Sequence, residues 1–138
     1  MSADLPTIIA TVLDAEDSVA LASFWHEFLG LSYRPQQGPE DDPHFIVLDG
    51  RDGDPKLAIQ QVDSLPPASW PVGDVPQQMH LDVLVRSAEE QQRHLDRALE
   101  RRARVLDDRR DDANDPLVVL ADPAGHPFCL IRPPDRSH

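Results

Sequence analysis

The chain has 138 residues, with 25 aspartates and glutamates against 13 lysines and arginines, for a formal net charge of −12. That length suits one domain that folds without a disulfide or structural metal, and an acidic chain repels phosphate backbones and anionic lipid, so neither nucleic acid nor a membrane is an expected partner. With a single cysteine, Cys129, neither an internal disulfide nor any cysteine-based zinc site is expected, and no signal-like or membrane-length apolar run is present, so a cytoplasmic protein is expected.

In chain order, Thr7 to Leu13 is rich in β-branched and apolar residues and predicts a strand. Asp14 to Asp17 then offers capping oxygens. Leu21, Phe24, Trp25 and Phe28 follow at three- and four-residue spacing, and Gly30 stands where a left-handed C-cap belongs, so a first helix is predicted. Leu48 to Ile59 reads as strand, glycine turn, strand. Residues 64–77 form a proline-rich linker in which Pro66, Pro67, Pro71 and Pro76 fix φ and remove backbone donors. Trp70 lies inside it, as a pin onto the domain or as the wall of a ligand pocket.

Beyond the linker, Met79 to Val85 alternates as a strand does, and Ser87-Ala88-Glu89-Glu90 fits a capping box. Leu95, Ala98 and Leu99 mark a weaker apolar stripe on a charged second helix. His26 and His94 are expected on exposed helical faces. The run Asp107, Asp108, Asp111, Asp112 and Asp115, interrupted by Arg109 and Arg110, reads as a solvated loop in preference to a divalent-cation patch. Leu120 to Ile131 repeats the earlier hairpin. Written without gaps, Leu48, Gly53, Pro55 and Ile59 fall opposite Leu120, Gly125, Pro127 and Ile131. Each half is therefore predicted as β-α-β-β-β, module one over residues 5–63 and module two over 78–134 of one domain.

The strand Met79 to Val85 carries the chemistry. Alternate side chains of a strand point to opposite faces, so Leu81, Val83 and Val85 share one face and His80, Asp82 and Leu84 the other. From composition alone that second face is either an ordinary wet surface or the lining of a cavity.

Three segments bear on the choice: L-A-S-F-W-H-E-F-L-G (Leu21 to Gly30), P-Q-Q-M-H-L-D-V (Pro76 to Val83) and D-P-A-G-H-P-F-C-L-I (Asp122 to Ile131). Together with the Ser-Trp-Pro of the linker they resemble glyoxalase-like domains, common in actinobacteria, of the vicinal-oxygen-chelate (glyoxalase/bleomycin-resistance/dioxygenase) superfamily. The resemblance spans nearly the whole chain. It implies an α+β fold of two βαβββ modules that form a curled mixed sheet around a shared cleft, with His80, Asp82 and Leu84 facing the cleft.

Metal-dependent members of that superfamily take one ligand from each of four strands. Carried over by position, those ligands fall on Ala10, which has no donor atom, near Gln60 within Leu57 to Gln61, on His80, which matches, and on Cys129 in place of the usual glutamate. One imidazole, one amide and one thiol do not suit a hard metal that polarises oxygen substrates. The expectation is no cofactor, with a divalent metal at His80 disfavoured and Cys129 a buried structural thiol. The leading reading is a protein that binds a small organic molecule, with His80 and Asp82 as the hydrogen-bonding or proton-transferring pair and Trp25, Gln60, Trp70, Leu84 and Cys129 as ligand contacts. The alternatives are a metal-dependent lyase or dioxygenase of the glyoxalase type and a drug-sequestering protein of the bleomycin-resistance kind. A homodimer is expected, since two modules leave sheet edges for pairing to cover.

Overall fold

The structure, a computed structural model, describes residues 8–53, 55–66, 71 and 79–133. Most of the linker, including Trp70, lies outside the described residues. The chain divides into two compact units, the first ending at Leu65 and the second beginning at Pro66.

In the first unit the order is β1 (Thr11–Ala15), α1 (Ser18–Leu29), β2 (Ser32–Tyr33), β3 (Phe45–Asp49) and β4 (Pro55–Gln61). The sheet runs β1-β4-β3-β2, with β1 parallel to β4 and the other pairs antiparallel. The first strand begins later than its composition predicts. Its ladder with β4 starts only at Thr11, and Ile8 and Ile9 stay exposed ahead of it. Asp17 accepts a hydrogen bond from the Ala20 N–H at 3.1 Å and starts α1, and Gly30, at φ 69°, ends it in the left-handed conformation open to glycine. The apolar side of α1 buries Leu21, Phe24, Trp25 and Phe28, while the sheet buries Leu13, Ala15, Ile46, Leu48, Leu57 and Ile59.

The second unit repeats the pattern with β5 (Leu81–Leu84), α2 (Ala88–Glu100), β6 (Arg104–Arg109), β7 (Leu117–Ala121) and β8 (Pro127–Ile131). Its sheet runs β5-β8-β7-β6, again with only the first pair parallel. Ser87 caps α2 by accepting from the Glu90 N–H, and the Glu90 carboxylate accepts in return from the Arg86 N–H, one residue ahead of the cap. Gln91 of α2 is fully buried and donates to the carbonyls of Pro116 and Leu130. No described helix is long and apolar enough to cross a membrane.

The curled sheet around a shared cleft, implied by the resemblance, is not what these strands form. There are two separate four-stranded sheets, and neither is closed or strongly curled. Closure needs enough tilted, staggered strands to bring the outer ones together. Here each sheet stops at four, and the outermost strand of the first, β2, is only Ser32–Tyr33.

The gapless pairing of the two halves also needs a correction. Leu48 pairs with Leu57 and Asp49 with Pro55, so Lys56 is an extra residue in a bulge of the first hairpin. In the second hairpin Leu120 pairs with Phe128 and Ala121 with Pro127, with nothing left over. The repeats thus run together as far as Pro55 and Pro127 and then slip by one. Ala58, rather than Leu57, answers Cys129, and Ile59 answers Leu130. In a strand a slip of one residue exchanges the two faces, so this bulge decides which side chains are comparable. Both turns keep a glycine at positive φ, Gly53 at 85° and Gly125 at 95°.

Candidate functional site

The parallel ladder between β5 and β8 sets Asp82 directly beside Cys129. Alternation then puts His80, Asp82 and Leu84 on the face of Cys129, opposite Leu81, Val83 and Val85. The Nε2 atom of His80 stands 3.1 Å from Oδ1 of Asp82. The Cys129 thiol donates a hydrogen bond to the same carboxylate. One ligand atom from each of the three side chains lies within 4.8 Å of the others, and the group is capable of holding a metal ion. Cys129 is buried, with Val119 and Leu117 beside it and Leu106 and Ile131 partly buried around them. Asp82 keeps 57% of its side chain exposed and His80 29%. The result is a buried thiol at the base of a carboxylate that meets solvent.

Burial, and then the negative charge of Asp82, push the Cys129 thiol up to about 12. It is accordingly a neutral hydrogen-bond donor at neutral pH, not a nucleophile. Iodoacetamide at neutral pH is expected to alkylate Cys129 at least about a hundredfold more slowly in the native protein than in urea, as intact mass would record. The same shift has a stability consequence. The folded thiol titrates above its ordinary value of 9.0, so the stabilisation it brings is intact below pH 9 and is lost as pH rises toward 12. Tyr33, raised first by burial and then by the charge of Glu27, acts in the same sense from its ordinary value of 10.0. Thermal midpoints read between pH 8 and 11 should fall with rising pH.

The structure does not bring all of the predicted ligand contacts to this place. Leu84 shares the face and is exposed. Trp25 is 0% exposed in the core of the first unit, edge-on to Phe24 with ring centroids 4.9 Å apart. Gln60 lies on β4 of the first unit, exposed, where its amide donates to Asp14 at 3.4 Å. In that unit the positions matching His80, Asp82 and Cys129 are Ala10, Val12 and Ala58, because Val12 pairs with Ala58 as Asp82 pairs with Cys129. None of those three side chains has a donor atom. The four-strand ligand set implied by the resemblance therefore does not fit this chain: the first unit lacks donors where the second has them.

Two groups near the thiol escaped the reading of the sequence. Arg109 and Asp115 both act electrostatically on Cys129. The acidic run is not wholly a loop, since Asp107, Asp108 and Arg109 belong to β6, with Asp107 beside Val119 and Val119 beside Cys129. Arg109 donates to Asp107 at 2.7 Å. The charge pattern hinted at a surface, but only the strand order could place it two strands from β8, with β7 between them. The helical histidines also differ from expectation. His26 is half-buried, its ring 4.6 Å from that of Tyr33, and His94 is half-buried with its pKa lowered by burial and then by Arg97.

Comparison with known proteins bears on the whole arrangement. A family model described as a glyoxalase-like domain matches residues 10–131. A search of curated proteins finds no match. Among solved structures, a glyoxalase/dioxygenase from Nostoc punctiforme is similar at TM-score 0.68 and 17% identity, covering 96% of this chain and 94% of that one. A lactoylglutathione lyase from Agrobacterium tumefaciens is similar at TM-score 0.60 and 20% identity, covering 93% and 95%. The fosfomycin resistance protein FosX from Listeria monocytogenes gives TM-score 0.66 and 15% identity, covering 93% of each chain. At such identities the structures speak for the fold alone.

Proposed function

The chain belongs to the glyoxalase-like domain family, and from that premise we propose that it binds a small organic molecule on the His80–Asp82 face of its second unit. The supporting observation is the pairing of an exposed carboxylate with an imidazole 3.1 Å away on a sheet face that also carries Leu84. The Asp82 carboxylate accepts hydrogen bonds, and a net charge of −12 draws in cations, so the preferred ligand is donor-rich or cationic with an apolar part. Leu84 supplies apolar contact. The His80 imidazole can exchange a proton with a bound molecule within its reach.

This reading does without the divalent ion of the superfamily's four-strand site, because Ala10 and Ala58 contribute no donors. Lactoylglutathione lysis and fosfomycin resistance are activities in the names of similar structures, and no residue described above favours either over simple binding. The test is a calorimetric screen of small cationic and hydroxylated compounds, followed by titration of each hit into variants. Asp82→Asn and His80→Ala are each expected to weaken binding by about ten- to a hundredfold, the worth of a hydrogen bond to a charged group. A hit whose affinity survives both substitutions would show that the ligand sits elsewhere.

A further inference from the structure

We propose that His80, Asp82 and Cys129 form a site for one thiophilic divalent cation of the zinc class, held entirely by the second unit. Donor geometry alone supports this site, independently of any organic ligand. Three different donor types, an imidazole nitrogen, a carboxylate oxygen and a sulfur, offer atoms within 4.8 Å of one another. A tetrahedral ion with bonds of the usual length needs its nitrogen, oxygen and sulfur ligand atoms about 3.3–3.6 Å apart. His80 and Asp82 are already at 3.1 Å, and the exposed Asp82 carboxylate is free to swing by the remaining distance. The β5–β8 register holds Asp82 and Cys129 side by side, so two of the three donors are set by the sheet before any ion arrives.

Donor chemistry selects the ion. Sulfur and imidazole suit zinc, cobalt and other borderline metals, whereas magnesium and calcium want a shell of oxygens that this group does not offer. The set also differs from the one implied by the resemblance. Asp82, two residues beyond His80 on the same strand, takes the part that the first unit cannot. On binding, the Cys129 S–H bond breaks and an S–metal bond forms. The proton passes to solvent, and nothing is oxidised or reduced. Asp82 exchanges the thiol hydrogen bond for the ion. Asp115 adds attraction and Arg109 opposes it. Three protein donors would leave a tetrahedral ion one open position.

Cobalt(II) titrated into reduced, chelator-stripped full-length protein tests the inference, with the near-ultraviolet thiolate-to-cobalt charge-transfer band as readout and zinc as competitor. One ion per chain, a band absent from Cys129→Ser, and affinity at least about tenfold weaker in Asp82→Asn and His80→Ala are expected. Excess magnesium should not displace the ion. Asp82 is exposed, so Asp82→Asn keeps the test decisive even if Cys129→Ser fails to fold. Unchanged zinc affinity in Asp82→Asn, or no stoichiometric binding by the folded wild type, would overturn the site. No organic compound is present in this titration, so failure here and failure of the calorimetric screen are separate results.

Discussion

Replacing Trp25 with alanine is expected to lower stability by about 3–5 kcal/mol, the usual cost of emptying a large aromatic site in a packed core. Trp25 is completely buried on α1, edge-on to Phe24 and close to Phe28 at a centroid distance of 6.1 Å. The substitution removes its buried apolar area and also the partner of two aromatic contacts, and a helix held on both sides by a sheet and a cap has little room to collapse into the void. In urea the midpoint should move down by more than about 1 M, given slopes of about 1–3 kcal/mol per molar for domains of this size. Trp25→Phe, which keeps a ring, should cost clearly less. A Trp25→Ala midpoint within about 0.3 M of wild type would mean that the ring is not a core element.

Gln91→Ala is the second large effect, at about 2–4 kcal/mol. The Gln91 amide donates to Pro116 O at 3.1 Å and to Leu130 O at 2.9 Å, and all of it is buried. Deleting the donor takes a buried partner from two carbonyls, of which Pro116 O keeps a hydrogen bond from the Arg132 N–H at 3.3 Å. Gln91→Met separates the causes, since it keeps most of the volume and removes the donor. It should retain at least half of the alanine effect. Leu130 is the neighbour of Cys129 on β8, so this one amide also ties α2 to the strand that supplies the thiol. Both variants are therefore expected to raise the native alkylation rate of Cys129 along with the urea sensitivity. Met and Ala variants with wild-type midpoints would leave the amide without a structural role.

Much of the local structure could be read directly from residue order. The period of Leu21, Phe24, Trp25 and Phe28 marks α1, Gly30 ends it, and Ser87 with Glu90 caps α2. Alternation sorted His80, Asp82 and Leu84 from Leu81, Val83 and Val85. These features are legible because caps and side-chain faces depend on spacing within a few residues. The doubled β-α-β-β-β order was legible for a related reason: the same turn chemistry, Gly53 and Gly125 at positive φ, recurs in both halves.

Other features needed the folded chain. Lys56 looks like any strand residue, and nothing in its neighbours marks it as the bulge that shifts β4 against the pattern of β8. Trp25 carries the same helical spacing whether its ring meets a ligand or a core, and only packing decided for the core. The curl of the sheets was inherited from a resemblance. Two open sheets of four strands stand in its place.

Sequence by itself determined the helices and their caps, the faces of β5, the duplicated strand order, the acidic charge and the missing donor at Ala10. Tertiary structure alone decided that Asp82 lies beside Cys129, that β6 brings Arg109 within electrostatic reach of the thiol, and that Gln91 fastens α2 to β8. The division has one physical cause. Local preferences act over a few neighbouring residues, whereas strand pairing joins segments dozens of positions apart through backbone hydrogen bonds that are nearly indifferent to residue type.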